Sequence, residues 1–318
     1  MRDLVAPAVK PIVILGIFVA DTAYRAERQP KIGETIMGMS FVLGPGGKGS
    51  NQAVAAAMAR SQSGGQVHFI TRLGRDAFAD IARATWGRAG VIPEVTEDAD
   101  SYTGAAYIFI ENATGNNAII VAPGAAGRVS VADVEARRAL IEGAAVFVTQ
   151  LEQPIPAARH ALEIARAAGV RTILNPAPAA ALDDAMLALC DFVTPNETEA
   201  EALTGLPVTS VAEAEQAADA LLAKGVGAVV ITLGDKGALY RDQSRSVHVP
   251  VISAGPVVET TGAGDAFNGG FAVALSEGMD VVEAVRFGCA TAGISVTRPG
   301  TAPAMPSRAE IAALLARG

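Results

Sequence analysis

The 318-residue sequence predicts a doubly wound α/β fold, a mostly parallel sheet flanked by helices, with a small β-sheet lid. Three observations carry that reading. Short β-rich apolar runs alternate with longer helical stretches. Runs such as Val229-Val230-Ile231 are apolar on both faces, as strands covered by helices on each side must be. Two turn-rich segments interrupt the rhythm.

The pattern predicts strands over 12–20, 67–73, 145–150, 170–175, 191–194 and 228–232. It predicts helices over 51–60, 77–89, 131–141, 157–168, 197–204, 211–224, 266–277 and 281–291. The interruptions are 22–43, which lacks a helix, and 102–121, which reads as a β-hairpin around 112–117. Together they make a small sheet standing off the main body, a candidate lid over an active site. A pair of ordinary edge hairpins is the plainer alternative. With no internal repeat, low-complexity tract or long linker, residues 1–318 read as one domain carrying that lid.

Half of the residues are hydrophobic, enough for a large core without disulfides. The formal charge of −8 argues against nucleic acid or an anionic membrane as partner, whereas a small phosphorylated ligand can still be held by backbone dipoles. Cys190 and Cys289 lie far apart and His68, His160 and His248 are scattered, which excludes a conventional zinc site. The apolar run 11–20 is closed by Asp21 and is too short to span a bilayer, so the expected location is the cytoplasm.

The most informative stretch is Glu259-Thr260-Thr261-Gly262-Ala263-Gly264-Asp265-Ala266-Phe267-Asn268-Gly269-Gly270, which opens an apolar helix. Glycines before a helix let backbone N–H groups converge where the helix dipole favours negative charge, an arrangement suited to a transferring phosphoryl group. Asp265 at the same helix start can take the proton of an attacking hydroxyl. The same residues also suit a plain N-cap and a tight turn.

Gly44-Pro45-Gly46-Gly47-Lys48-Gly49-Ser50-Asn51-Gln52 formally matches G-x-G-x-x-G, but no Asp or Glu follows from Asn51 to Arg75 to hold a ribose. The P-loop pattern fails too, because Gly49 follows Lys48. What remains is a loop offering Lys48 and Asn51 as donors for sugar hydroxyls. In Thr194-Pro195-Asn196-Glu197-Thr198-Glu199-Ala200, Thr194 or Asn196 suits a helix cap, and the oxygen-bearing groups also suit waters around Mg²⁺. Asp21, Glu152, Asn196, Glu199 and Asp265 all fall at or beyond strand ends or helix starts, on the edge where open α/β sheets bind ligands.

These motifs resemble the ribokinase-like (PfkB) carbohydrate kinases. The resemblance runs almost end to end, through Gly16–Asp21, Gly46–Ala55, Leu151-Glu152-Gln153-Pro154, Asn175-Pro176-Ala177-Pro178, Thr194–Ala200, Ile231–Gly234, Thr261–Gly269 and Val296–Gly300. Gly262-Ala263-Gly264-Asp265 marks the family as a whole, while the stretches around Lys48 and Asn196 resemble its ribose-phosphorylating branch. The resemblance implies an ATP-dependent sugar kinase making ribose 5-phosphate from D-ribose. A kinase for another sugar or a nucleoside on the same scaffold is the alternative, and a non-catalytic sugar-binding regulator the remotest reading.

Residue by residue, the resemblance implies Asp265 as catalytic base and Asp21, Gly47, Lys48, Asn51, Glu152 and Asp265 as sugar contacts. It implies ATP contacts at Asn196, Thr232, Gly234, Gly237, Gly262, Ala263, Gly264 and Cys289, and Mg²⁺ held through water by Asn196 and Glu199. A monovalent-cation site, for K⁺, corresponds to Glu259, Thr261, Ser295, Arg298, Gly300 and Ala304. A homodimer joined through the lid sheets is also implied. Three departures stand out: Val19 where some members carry a sugar-contacting Asn, Glu259 in place of Asp, and Ala304 in place of Ser. The first bears on which sugar is taken and the other two on cation dependence.

Overall fold

The computed structural model describes residues 9–317. In chain order its strands are β1 (Ile12–Leu15), β2 (Val19–Ala26), β3 (Ser40–Gly46), β4 (Val67–Leu73), β5 (Val91–Glu97), β6 (Thr103–Glu111) and β7 (Asn117–Gly124). They continue with β8 (Val146–Thr149), β9 (Arg171–Leu174), β10 (Phe192–Val193), β11 (Ala228–Thr232), β12 (Ala238–Arg241) and β13 (Ser246–Val249). Nine of them form one sheet in the order β13-β12-β11-β10-β9-β8-β1-β4-β5, parallel except for β12 and β13. The other four form a separate sheet in the order β3-β2-β6-β7.

The nine-stranded sheet is buried on both faces, and alternation decides which helix each side chain meets. Ile12 and Ile14 of β1 face a cluster with Phe267 and Phe271 of the Ala263–Ser276 helix and alanines of the Lys48–Ala59 helix. Val13 and Leu15 face the opposite cluster, with Leu162 of the Ile155–Ala167 helix and Leu221 of the Val211–Ala223 helix. All four β1 side chains are fully buried, each worth roughly 1.5–3 kcal/mol of transfer free energy. The result is three layers, with loops at the carboxyl ends of β8, β10 and β11 gathered on one edge.

The single strand expected over 12–20 is in fact two. β1 ends at Leu15, and after Gly16-Ile17-Phe18 the chain enters β2, which runs into the small sheet. Packing explains the break: a Cβ on Gly16 would lie 2.7 Å from the Cα of Gly49, so another segment crosses there. The small sheet combines β2 and β3 with the hairpin β6–β7, parallel between β2 and β6 and antiparallel elsewhere. It corresponds to the expected lid, extended to residues 19–26, 40–46 and 103–124.

Sequence periodicity missed β5 and β13, the two edges of the large sheet, and β12 next to β13. β5 holds Pro93 and three acidic or hydroxyl side chains, which an edge strand tolerates, and β12–β13 is a short antiparallel pair with charged residues. The helix expected over 131–141 divides into Val131–Glu135 and Arg138–Glu142. A terminal helix, Arg308–Leu315, was not foreseen. Among the described residues no helix is long and apolar enough to cross a membrane.

Candidate active site

Two alanine- and glycine-rich helices cross at close range, and that crossing builds the site. A Cβ on Gly269 would lie 2.5 Å from the Cβ of Ala55, so only glycine lets the Ala263–Ser276 and Lys48–Ala59 helices approach this closely. Their first turns then meet. Asp265, 6% exposed, accepts a hydrogen bond on Oδ2 from Asn51 Nδ2 at 3.0 Å and on Oδ1 from Gln52 Nε2 at 3.1 Å. Burial raises the Asp265 pKa, opposed by the charge of Lys48 and by these two amides.

The carboxylate of Asp265 is therefore not spent as an N-cap. The cap position is Gly262, held at φ 80°, a left-handed conformation that suits glycine, and it caps the helix with no side chain. Ala263 N–H bonds the carbonyl of Thr260, whereas the N–H groups of Gly264 and Asp265 have no acceptor among the described residues. The space beside the Gly264 Cα is open. Two unsatisfied donors at the positive end of a helix are the arrangement that an anion would need there.

The expected sugar contacts gather beside Asp265, with two corrections. Asp21 does not terminate a core strand; it lies within β2, where the chain has already entered the small sheet. Lys48 and Asn51 belong to the first turn of a helix rather than to a loop, with Gly47 at its cap. Glu152, three residues beyond β8, accepts the Lys48 backbone N–H on Oε2 at 2.7 Å. The Asp21 carboxylate fills the space that a Cβ on Gly46 would occupy, 2.2 Å from Oδ2, and no donor among the described residues reaches it. Burial, reinforced by Asp265, pushes the Asp21 pKa up to about 6. Burial pushes Glu152 up to about 7, although the charge and N–H of Lys48 pull it down. Val19 lies 4% exposed in an apolar cluster with Ile17, Ala106 and Ala126.

A cleft of about 130 Å³ joins these groups to the next strand ends, lined by Lys48, Asn196, Glu199, Thr232, Gly264 and Asp265 among others. Asn196 caps the Glu197–Thr204 helix: its Oδ1 accepts the Glu199 N–H at 2.8 Å, while Glu199 Oε2 accepts the Asn196 N–H at 2.9 Å. Both the cap reading and the cleft reading of this motif therefore hold in one geometry. Burial raises the Glu199 pKa. Its second carboxylate oxygen is left over by the cap, so the donor set fits a water-mediated Mg²⁺. Gly234 and Gly237 flank the turn after β11. Cys289 sits in the apolar core on the Val281–Ser295 helix, outside the cleft lining, its thiol pushed up to about 12 by burial.

The expected monovalent-cation residues are partly assembled. Glu259 Oε2 accepts the Gly300 N–H at 2.8 Å, and the Val258 and Glu259 N–H groups share the Val296 carbonyl. The Ser295 hydroxyl bonds the Ala292 carbonyl, Arg298 pairs with Glu310, and Ala304 is buried. Among the described residues no three His, Cys, Asp or Glu side chains cluster to hold a metal, so any cation here relies on backbone oxygens and one carboxylate.

Sequence reasoning missed the amides around Asp265. Gln52 and Gln150 are fully buried, and Asn175 and Asn268 nearly so. Gln52 stood inside a motif already singled out, yet nothing in its neighbourhood marks it as reaching Asp265, 213 positions away. A larger groove, about 640 Å³, runs beside β13 and the Arg308–Leu315 helix, away from all of these groups.

Residues 9–308 match the model of the pfkB family carbohydrate kinases. A ribokinase of Haemophilus influenzae is 38% identical over 304 residues, covering 95% of this chain and 97% of that relative. A deoxyribokinase of Salmonella typhi is 37% identical over 298 residues, covering 93% and 95%. The solved structure of Arabidopsis thaliana ribokinase complexed with ribose and ATP superposes with a TM-score of 0.89 at 32% identity, covering 96% of this chain and 99% of that one.

Proposed function

Because this chain belongs to the pfkB family of carbohydrate kinases, it is a phosphotransferase acting on an alcohol group, and we propose that it phosphorylates D-ribose to ribose 5-phosphate with ATP as donor. The observation that carries this is the buried Asp265 at a helix start where the Gly264 and Asp265 N–H groups are unpartnered, in one cleft with Lys48 and next to two carboxylates, Asp21 without a protein donor and Glu152 with only the Lys48 N–H. A bare polyol supplies the hydroxyl donors that Asp21 and Glu152 need. Asp265 takes the proton of the primary hydroxyl as it attacks phosphorus, an effect of about 10²–10⁴-fold. The Gly264 and Asp265 N–H groups receive the charge developing on the phosphoryl oxygens.

Asn196 and Glu199 would hold Mg²⁺ through water, and the ion would neutralise charge on the phosphates. Thr232 lines the cleft and Gly234 and Gly237 follow it in the turn after β11, where the nucleotide would lie, whereas Cys289 is in the apolar core, outside the cleft lining. Glu259, Thr261, Ser295, Arg298 and Gly300 form a monovalent-cation site beside the Gly262–Gly264 turn. K⁺ there would order the anion hole before ATP binds, more weakly than with Asp and Ser at 259 and 304, since Glu259 already spends one oxygen on Gly300. Initial rates against KCl at constant ionic strength test this; a flat curve rejects the site. The enzyme works in the cytoplasm as a dimer, its lid sheets packed together.

A second reading is 2-deoxy-D-ribose, favoured by a deoxyribokinase relative nearly as similar as the ribokinase one. ATP consumption measured across ribose, 2-deoxyribose, hexoses and nucleosides, with product mass determined, decides between them. Ribose should give the highest kcat/KM; a nucleoside preference would overturn the assignment.

A further inference from the structure

We propose that Gln52, locked by Gln150, is the positioning residue that aims the catalytic base Asp265, through a buried chain of amides that also ties the base to the anion-hole turn. The inference rests on the reading of Asp265 as the base. Gln52 Nε2 donates to Asp265 Oδ1 at 3.1 Å and to Asn175 Oδ1 at 3.0 Å, while its Oε1 accepts from Gln150 Nε2 at 2.6 Å. Asn175 Nδ2 donates to the Thr194 carbonyl at 3.0 Å, and Thr194 Oγ1 to Asn268 Oδ1 at 2.7 Å. Asn268 Nδ2 then donates to the carbonyl of Gly264, the residue before the base, at 2.8 Å. The chain thus holds Asp265 at both ends: Gln52 at the carboxylate and Asn268 at the preceding backbone.

Amide orientation, usually ambiguous, is fixed here by chemistry. Turning Gln52 over would point its oxygen at the Asp265 carboxylate and at Asn175 Oδ1 while leaving Gln150 Nε2 facing a donor. Gln150 is packed in place, its Nε2 spent on Gln52 and its Oε1, buried without a partner, filling the space beside Gly16 and Gly49 that a Cβ at either would need. Gln52 and Gln150 are fully buried, so water cannot replace the lost donor, and a carboxylate left with one partner would turn about its χ2. A misplacement of about 1 Å in a reacting group costs about 10²-fold. Asn51, by contrast, has its own Oδ1 buried without a partner, so no second side chain locks its amide as Gln150 locks Gln52.

Groups of charge facing Asp265 are Lys48 on the neighbouring helix, Asp21 on β2, Glu152 beyond β8 and Glu199 at the Glu197–Thr204 helix. None of them is hydrogen-bonded to Gln52, so its removal takes no charged neighbour from Asp265, although it also frees Gln150 Nε2 and Asn175 Oδ1. The test is Gln52→Met, which keeps length and volume without a donor, compared with Gln150→Met and with Asp265→Asn. Gln52→Met should lower kcat about 10- to 100-fold with KM for ribose and ATP within about threefold, and move the acidic limb of kcat/KM to higher pH. Gln150→Met, which leaves the Gln52–Asp265 bond in place but unlocked, should fall between this variant and the parent. If Gln52→Met does not fold, Gln150→Met decides alone. Folded variants with a lowered Tm but unmoved kcat and acidic limb would overturn the proposal. Near-normal turnover by Asp265→Asn would instead overturn the base on which it rests.

Discussion

At the scale of single residues, the site is a concentration of negative charge held in a poorly hydrated place, and its titration carries predictions. Glu152 is pushed up to about 7 mainly by burial, so its folded value lies above the ordinary carboxylate value of about 4.3. Its contribution to stability is then full below that ordinary value and lost as pH rises through about 7. Glu152→Gln should therefore raise the Tm of the sugar-free protein over the parent's at pH 8, with the gap closing by pH 5. A gap that widens toward acid would contradict the burial argument. Asp21, up to about 6 for the same reason, has no protein donor, so its ionised form is supported only by a ligand. Asp21→Ala should raise KM for ribose about tenfold, as expected for losing a charged hydrogen bond worth roughly 1.5–3 kcal/mol. Unchanged ribose kinetics would move the sugar site elsewhere.

At the scale of elements, two helix starts line the cleft, and they differ in how the helix is capped. The Glu197–Thr204 helix is capped reciprocally by its own side chains, whereas the Ala263–Ser276 helix begins at Gly262 with no side-chain cap and leaves N–H groups for a ligand. The φ of 80° at Gly262 costs an L-residue about 1–2 kcal/mol, and a Cβ there would press on the Thr301 side chain at 3.3 Å. Thr301 is itself tied to the Pro45 carbonyl at 2.9 Å, next to the helix that carries Lys48 and Asn51. Gly262→Ala should thus lower both Tm and kcat, the latter beyond what partial unfolding explains at 10 °C below the new Tm. A loss of Tm alone would mean that the turn is structural only.

At the scale of the whole molecule, the small sheet is the element least covered by the rest of the chain. Tyr24, Phe41 and Ile120 are 42%, 54% and 67% exposed, and Tyr24 packs on Phe41 and Tyr107 to form one apolar face. An apolar surface of this kind is characteristic of an interaction site, and a second lid sheet covers it in the proposed dimer. Ile120→Asp should shift sedimentation from dimer to monomer and raise KM for ribose severalfold, because β2 of the same sheet carries Asp21. A monomeric parent protein would reject the dimer and leave this face to another partner.

Much of this protein was determined by its sequence alone. Buried parallel strands declare themselves as apolar runs, helix starts as capping residues, and the uncapped start of the Ala263–Ser276 helix as glycines before Asp265, because each is a local consequence of backbone conformation and hydrophobic period. The edge strands β5 and β13 and the four-residue β12 were illegible for the same reason, since strands broken by proline or too short to show alternation carry no distinctive period. Where the chain leaves the main sheet after Gly16 was decided by packing against Gly49, and so was the position of Asp21 in the lid. The hydrogen bond from Gln52 to Asp265 was likewise settled only when two helices distant in sequence crossed at Gly269 and Ala55. Side-chain hydrogen bonds across such a crossing depend on ångström-scale approach between segments that share no local pattern, and only the tertiary structure sets that distance.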